Sequence, residues 1–172
     1  MSKRQKRKQN KVNRQKAETA SRRPTRKWRE MRRFALVFGL LATAVGTGLA
    51  AFKQAMPIAP CSNGSIALMT ALARFGGLPW DCILGAEIAR DYKPKPAVYL
   101  GSCAALRLPP EEVVMVACHN DDLAAARAVG LKTGFIPRPD EKGPGLGEAA
   151  PSADWDFLGD DLIDLAAAVA GG

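Results

Sequence analysis

No aspartate occurs in the first 80 residues of this chain; Asp81 is the first, and Glu18 and Glu30 are the carboxylates that precede it. A chemistry that needs an N-terminal aspartate nucleophile has none available there. Histidine is scarce as well, with His119 alone. Cys61, Cys82, Cys103 and Cys118 are widely spaced, and no C-x-x-C pair occurs. A four-cysteine zinc site wants closely spaced pairs, and one histidine cannot supply the missing ligands. Three of the cysteines lie in or beside apolar stretches, which predicts reduced, buried thiols, no metal, no disulfide and a cytoplasmic setting.

Charge is divided as unevenly as aspartate. Residues 1–33 hold 15 Lys/Arg against Glu18 and Glu30, a net +13, while residues 34–172 hold 10 against 15, a net −5. The basic character belongs to a tail with almost no apolar residue before Trp28, too little to offset its ordering entropy. The expectation is a disordered or induced-helix extension. Such an arm attracts the phosphate of nucleic acid or anionic lipid without reading sequence, and a plain solvated tail reads equally well from the charge run alone.

Residues 34–52, FALVFGLLATAVGTGLAAF, carry no charge. As a helix this stretch would be about 28 Å long, close to a bilayer core, and the flanking Arg29, Arg32 and Arg33 would hold its N-terminus in the cytoplasm. Gly39, Gly46, Gly48, Thr43 and Thr47 dilute its hydrophobicity. The preferred reading is a sheet strand followed by a helix; an inner-membrane anchor is the alternative. As a secretory signal the segment is poor, since the basic region is too long and no A-x-A site follows.

From Met56 onward, strand and helix patterns alternate. Strands are expected at 57–61, 82–84, 113–117 and 133–136, and helices at 65–75, 96–106, 121–129 and 160–169. Gly76-Gly77 and Gly130 stop two of these helices. A polar loop should lead to Lys93, and 137–151, rich in Pro and Gly, should be a second loop. This alternation with short connections predicts an α/β fold with a Rossmann-like parallel sheet, one domain plus an appendage at this length. The 113–117 strand, an unbroken apolar run, should be buried on both faces. Lys93 and the acid pair Asp121-Asp122 then sit on loops at strand ends, where open α/β sheets keep their chemistry.

The stretches IAPCSNGSIALMTALARFGGLPWDCILGAEIARDYKPKPAVYL and VACHNDDLAAARAVGLKTGFIPRPDEKGPG, with Trp155-Asp156 near the end, resemble the C-terminal half of type II 2-haloacid dehalogenases of the haloacid dehalogenase superfamily. The resemblance covers about two thirds of the chain and implies metal-free, cofactor-free hydrolysis of a 2-haloacid to a 2-hydroxyacid and halide. Ser62 and Asn63 match the motif whose hydroxyl and amide orient the substrate carboxylate or departing halide. Lys93 matches the ammonium that steadies the nucleophile and intermediate, and Tyr99 a tyrosine beside the site. Asp122 matches the acid that helps position water, with Asn120 and His119 beside it. Taken singly, Asp121 or Asp122 reads as a helix start and His119 as a satisfied loop histidine; the joint spacing favours the site.

Two departures qualify that resemblance. Residues 35–43 resemble the family's first motif, Thr43 matching its threonine, but Gly39 stands where the nucleophilic Asp belongs. Between Gly39 and Ser62 there are 22 residues, too few for the helical cap the family inserts. Residues 44–54 resemble the helix that leads into the second motif. The domain reading is a tail over 1–33 and a capless core over 34–172, in a form that is truncated or inactive. Expected partners are a small 2-haloacid or related carboxylate, a second copy of the chain as a homodimer, and, for the tail, nucleic acid or anionic lipid. Three readings compete: the enzyme, a noncatalytic binding module on the same core, and a membrane-anchored form.

Overall fold

The computed structural model describes residues 45–171. The basic tail, the degenerate first motif with Gly39 and Thr43, and the expected strand at 34–38 lie outside the described residues. Residues 45–55 are helical (α1), as the resemblance implies for 44–54. There follow β1 (Cys61–Ser62), α2 (Ile66–Gly76), β2 (Leu84–Gly85), α3 (Ala86–Ala89), α4 (Pro96–Leu106), a 3-10 turn (Pro110–Glu112), β3 (Val114–Ala117), α5 (Asn120–Ala128), β4 (Lys132–Phe135), β5 (Phe157–Leu158) and α6 (Leu162–Gly171). All strand pairings among them are parallel, in two groups: β1 with β2, and β3-β4-β5. The α/β architecture is thus the one the alternation predicted.

Local chemistry explains most boundaries. Ser65 caps α2 by accepting the Leu68 N–H at 3.1 Å, and Gly77, at φ 62°, closes it in the left-handed conformation. Pro96 opens α4 at the first turn, where its missing N–H costs nothing. Asp121 and Asp122 occupy the first turn of α5, where the helix dipole favours acid.

Several expectations need correction. The first strand is confined to Cys61–Ser62, because 57–60 contains two prolines that cannot donate to a ladder. The polar loop before Lys93 contains the one-turn helix α3, too short to show a period. Of β3 only Met115 is fully buried. The strand β5 falls in a stretch assigned no element.

A side-chain latch creates β5. The Asp156 carboxylate accepts the Thr133 N–H at 2.7 Å and its hydroxyl at 2.6 Å. Arg127 donates to the Asp154 carbonyl at 2.6 Å and lies 4.5 Å from the centre of the Trp155 ring. This draws the following Phe157–Leu158 alongside β4. Burial opposes ionisation of Asp156, but the Thr133 hydrogen bonds and the Arg127 charge outweigh it and hold the carboxyl below its ordinary range. A carboxylate so depressed stabilises the fold above its unfolded pKa of about 4, and that contribution is lost as pH falls through the lower, folded value. Asp156→Asn should therefore cost about 1 kcal/mol at neutral pH, allowing for the half-exposed carboxylate, and the gap should close in acid. Urea unfolding of both proteins from pH 7 downward checks this; a gap that widens in acid would contradict it.

Two clusters form the core. Tyr99, Cys103, Met115, Leu123 and Phe135 pack between helices and β3-β4, while Leu49 and Phe52 of α1 pack on Ile58, Leu165 and Ala166. Gly48 has a packing reason: a Cβ there would lie 2.4 Å from Leu162 Cβ, so its absence lets α1 approach the start of α6. Among the described residues no helix is long and apolar enough to cross a membrane.

Candidate active site

The close parallel pairing of Ser62 with Gly85 sets the first half of the site. Gly85 has φ 120°, and a Cβ on it would meet the Ser62 carbonyl oxygen at 2.1 Å, so only glycine lets β1 and β2 lie so close. The Ser62 hydroxyl accepts the Gly64 N–H at 3.0 Å, shaping the turn that presents Asn63. Asn63 then grips the backbone of Lys93 from both sides, its Oδ1 accepting the Lys93 N–H at 2.7 Å and its Nδ2 donating to the Lys93 carbonyl at 3.2 Å. The Lys93-Pro94 peptide bond is cis. Residues 30 apart in sequence are thereby locked into one frame.

The lysine so held reaches the start of α5. Its Nζ donates to Asp122 Oδ2 at 2.5 Å, and the Tyr99 hydroxyl donates to Asp122 Oδ1 at 2.5 Å. Both partners of the ion pair are mostly buried, at 18% and 13% side-chain exposure, so the pair is screened far less than a surface one. Burial first, and then the Asp122 carboxylate, raise the Tyr99 hydroxyl far above its ordinary pKa, fixing it as a neutral donor. Among the described residues the Lys93 ammonium has no second partner, leaving two of its three N–H donors for an anion. The Asp122 oxygens, each taking one bond, still have lone pairs for water.

The structure thus gathers Ser62, Asn63, Lys93, Tyr99 and Asp122. It does not bring Asn120 and His119 into that group. Asn120 spends its amide on the 148–155 segment, its Oδ1 accepting from Ser152 N and Trp155 Nε1 at 2.8 Å each and its Nδ2 bonding Glu148. His119 pairs with Glu141, Nε2 to Oε2 at 2.7 Å. Thr43 lies outside the described residues.

Residues that sequence reasoning missed support the site. Gly85 is one; nothing in a lone glycine announces a positive φ. Glu87 is another, accepting the Ile66 N–H at the start of α2 at 2.6 Å. An open cleft of about 390 Å³ is lined by Asn63, Ser65, Glu87, Arg90, Asp91 and Tyr92. Asp81, the first aspartate in the chain, is occupied elsewhere, accepting Lys53 Nζ at 2.6 Å and Ile58 N–H at 2.9 Å. The Lys53 bond and then the Ile58 bond hold its carboxyl below the ordinary range.

The parallel α/β core thus places a lysine, an aspartate and a Ser-Asn turn near the ends of its strands. The model of the haloacid dehalogenase-like hydrolases matches residues 3–130, and the chain belongs to that family. It is related to (S)-2-haloacid dehalogenase 1 of Pseudomonas sp. (strain CBS-3), at 36% identity over 98 residues, 55% of this chain and 43% of that one. Among solved structures it is similar to the L-2-haloacid dehalogenase PA0810, at 50% identity and TM-score 0.71, covering 73% of this chain and 55% of that one. The defluorinating L-2-haloacid dehalogenase Rha0230 follows at 46% identity and TM-score 0.67, covering 71% and 50%. The chain thus spans about half the length of the relatives it matches.

Proposed function

We propose that this chain is a haloacid dehalogenase-type core that binds a small 2-halo- or 2-hydroxycarboxylate at Ser62, Asn63 and Lys93 without turning it over. The observation that carries the reading is the buried Lys93–Asp122 pair, 2.5 Å apart, with Tyr99 on the other carboxylate oxygen. In the family reaction a carboxylate displaces halide from C2, and water then cleaves the resulting ester. Lys93 would neutralise the substrate carboxylate and the ester oxygens, and Asp122, held by two donors, would take the proton of the attacking water. Both roles need the ester to exist first. The carboxylates upstream of Asp81 are glutamates in the basic stretch, and Asp81 itself is committed to Lys53 and Ile58. The four free cysteines suit a reducing, cytoplasmic setting.

Opposite changes at the two ends of the ion pair test the binding role. Lys93→Met should weaken 2-chloropropionate binding roughly tenfold to a hundredfold, the value of one charge-assisted hydrogen bond. Asp122→Asn should leave affinity unchanged or raise it, since it removes a repelling charge. Calorimetric titration of the three proteins reads both. Equal losses in both variants would mean a general structural effect and contradict the assignment.

A further inference from the structure

We propose that Cys118, His119 and Glu141 form a binding site for one zinc-class transition-metal ion. The Cys118 sulfur, a His119 ring nitrogen and a Glu141 carboxylate oxygen all lie within 4.8 Å of one another. Glu141 Oε2 stands 2.7 Å from His119 Nε2 and 3.6 Å from Cys118 Sγ. Around a tetrahedral zinc with bonds of about 2.0–2.3 Å, donor atoms sit roughly 3.3–3.8 Å apart. The thiol–carboxylate separation already meets that spacing. The His119–Glu141 pair must open by roughly 0.6–1 Å, a movement available to a ring that is 41% exposed.

The frame holding these donors is braced. Cys118 and His119 follow directly on β3 at the start of α5, while Glu141 belongs to the segment after β4. That segment is clasped to α5 through Glu148, whose Oε2 accepts the Asn120 N–H at 2.8 Å and whose carbonyl accepts the Arg138 N–H at 2.9 Å. Arg138 Nη1 lies 3.4 Å from Glu141 Oε1, which turns the other oxygen toward the thiol and imidazole. A carboxylate oriented by an outer partner is how metal ligands are ordinarily fixed.

Donor type selects the metal. A thiolate with an imidazole favours zinc or cobalt over magnesium or calcium, which demand oxygen ligands. Three protein donors leave a fourth position for water, so the site is of the open kind. On binding, the Cys118 thiol gives its proton to solvent, the Nε2 proton of His119 passes to solvent or reappears on Nδ1, and metal bonds to the sulfur, the imidazole nitrogen and the carboxylate oxygen replace the His119–Glu141 hydrogen bond. Residues 1–60 contain neither Cys nor His, so the tail offers no competing thiol or imidazole.

Titration of the full chain with Co²⁺ tests this. One equivalent should produce a thiolate-to-cobalt charge-transfer band in the near ultraviolet with tetrahedral d–d bands, and Zn²⁺ should bleach both. Cys118→Ser should abolish the charge-transfer band, Glu141→Gln on its exposed loop should weaken cobalt binding by about tenfold or more, and Cys82→Ser should change neither. Circular dichroism confirms that each variant is folded, and Glu141→Gln carries the test if the buried Cys118 does not tolerate substitution. Absence of the band at one equivalent, its survival in Cys118→Ser, unchanged affinity in Glu141→Gln, or its loss in Cys82→Ser would each overturn the proposal.

Discussion

Incubated with 2-chloro- or 2-bromopropionate, the 172-residue chain is expected to release halide no faster than buffer, and no faster than its Lys93→Ala variant. The expectation follows from the proposal above, since no aspartate precedes Asp81 in the sequence. Covalent displacement at C2 needs an ionised carboxylate aimed along the carbon–halogen axis, and positioning groups do not substitute for the electron pair that forms the new bond. Asp81 has both oxygens engaged by Lys53 and the Ile58 amide, and Asp91 accepts Lys95 and the Tyr92 amide on one oxygen, Oδ1. Among the described residues Asp122 is the carboxylate bonded to both Lys93 and Tyr99, and its proposed part is to position water, not to attack carbon. Halide release that disappears in Lys93→Ala would show that another group serves as nucleophile.

A second large effect is expected at Gly85. Replacing it with alanine should lower stability by roughly 3–5 kcal/mol and the melting temperature by on the order of 15 °C. Two costs coincide there. The backbone φ of 120° is one that L side chains rarely adopt, and the new Cβ would sit 2.1 Å from the Ser62 carbonyl oxygen and 2.5 Å from its nitrogen. Neither neighbour is a flexible side chain. The strain can be relieved only by parting β1 from β2, which moves Ser62 and the Asn63 turn that holds Lys93. Gly101→Ala is the control, since a Cβ there makes an ordinary contact at 3.4 Å with Ala89 and favours helix α4. Equal melting temperatures for wild type and Gly85→Ala would contradict this account of the turn.

The sequence carried the helices well, because their signals are local. Pro96 fixes the start of α4, Ser65 and Gly77 bracket α2, and the acid pair marks the first turn of α5. What it concealed depends on partners distant in the chain. The two-residue β5 exists because Asp156 bonds Thr133, 23 residues earlier, and no period can be read in so short an element. Motif spacing placed the candidates, and hydrogen bonds join four of them, Asn63 to Lys93 and both Lys93 and Tyr99 to Asp122, while Ser62 shapes the turn that carries Asn63. His119 and Asn120 belong to the same motif by sequence, but the Pro/Gly-rich segment after β4 folds back to engage them through Glu141 and Glu148. Nothing in its composition says where that segment returns.

The site is proposed to bind a small 2-substituted carboxylate without converting it. Carbon NMR of 2-chloropropionate labelled at C2, in the presence of the full chain, tests both halves at once. A broadened or shifted C2 resonance that sharpens again with Lys93→Met is expected, with no lactate signal on prolonged incubation. Accumulating lactate, or a C2 line indifferent to the protein, would contradict the proposal.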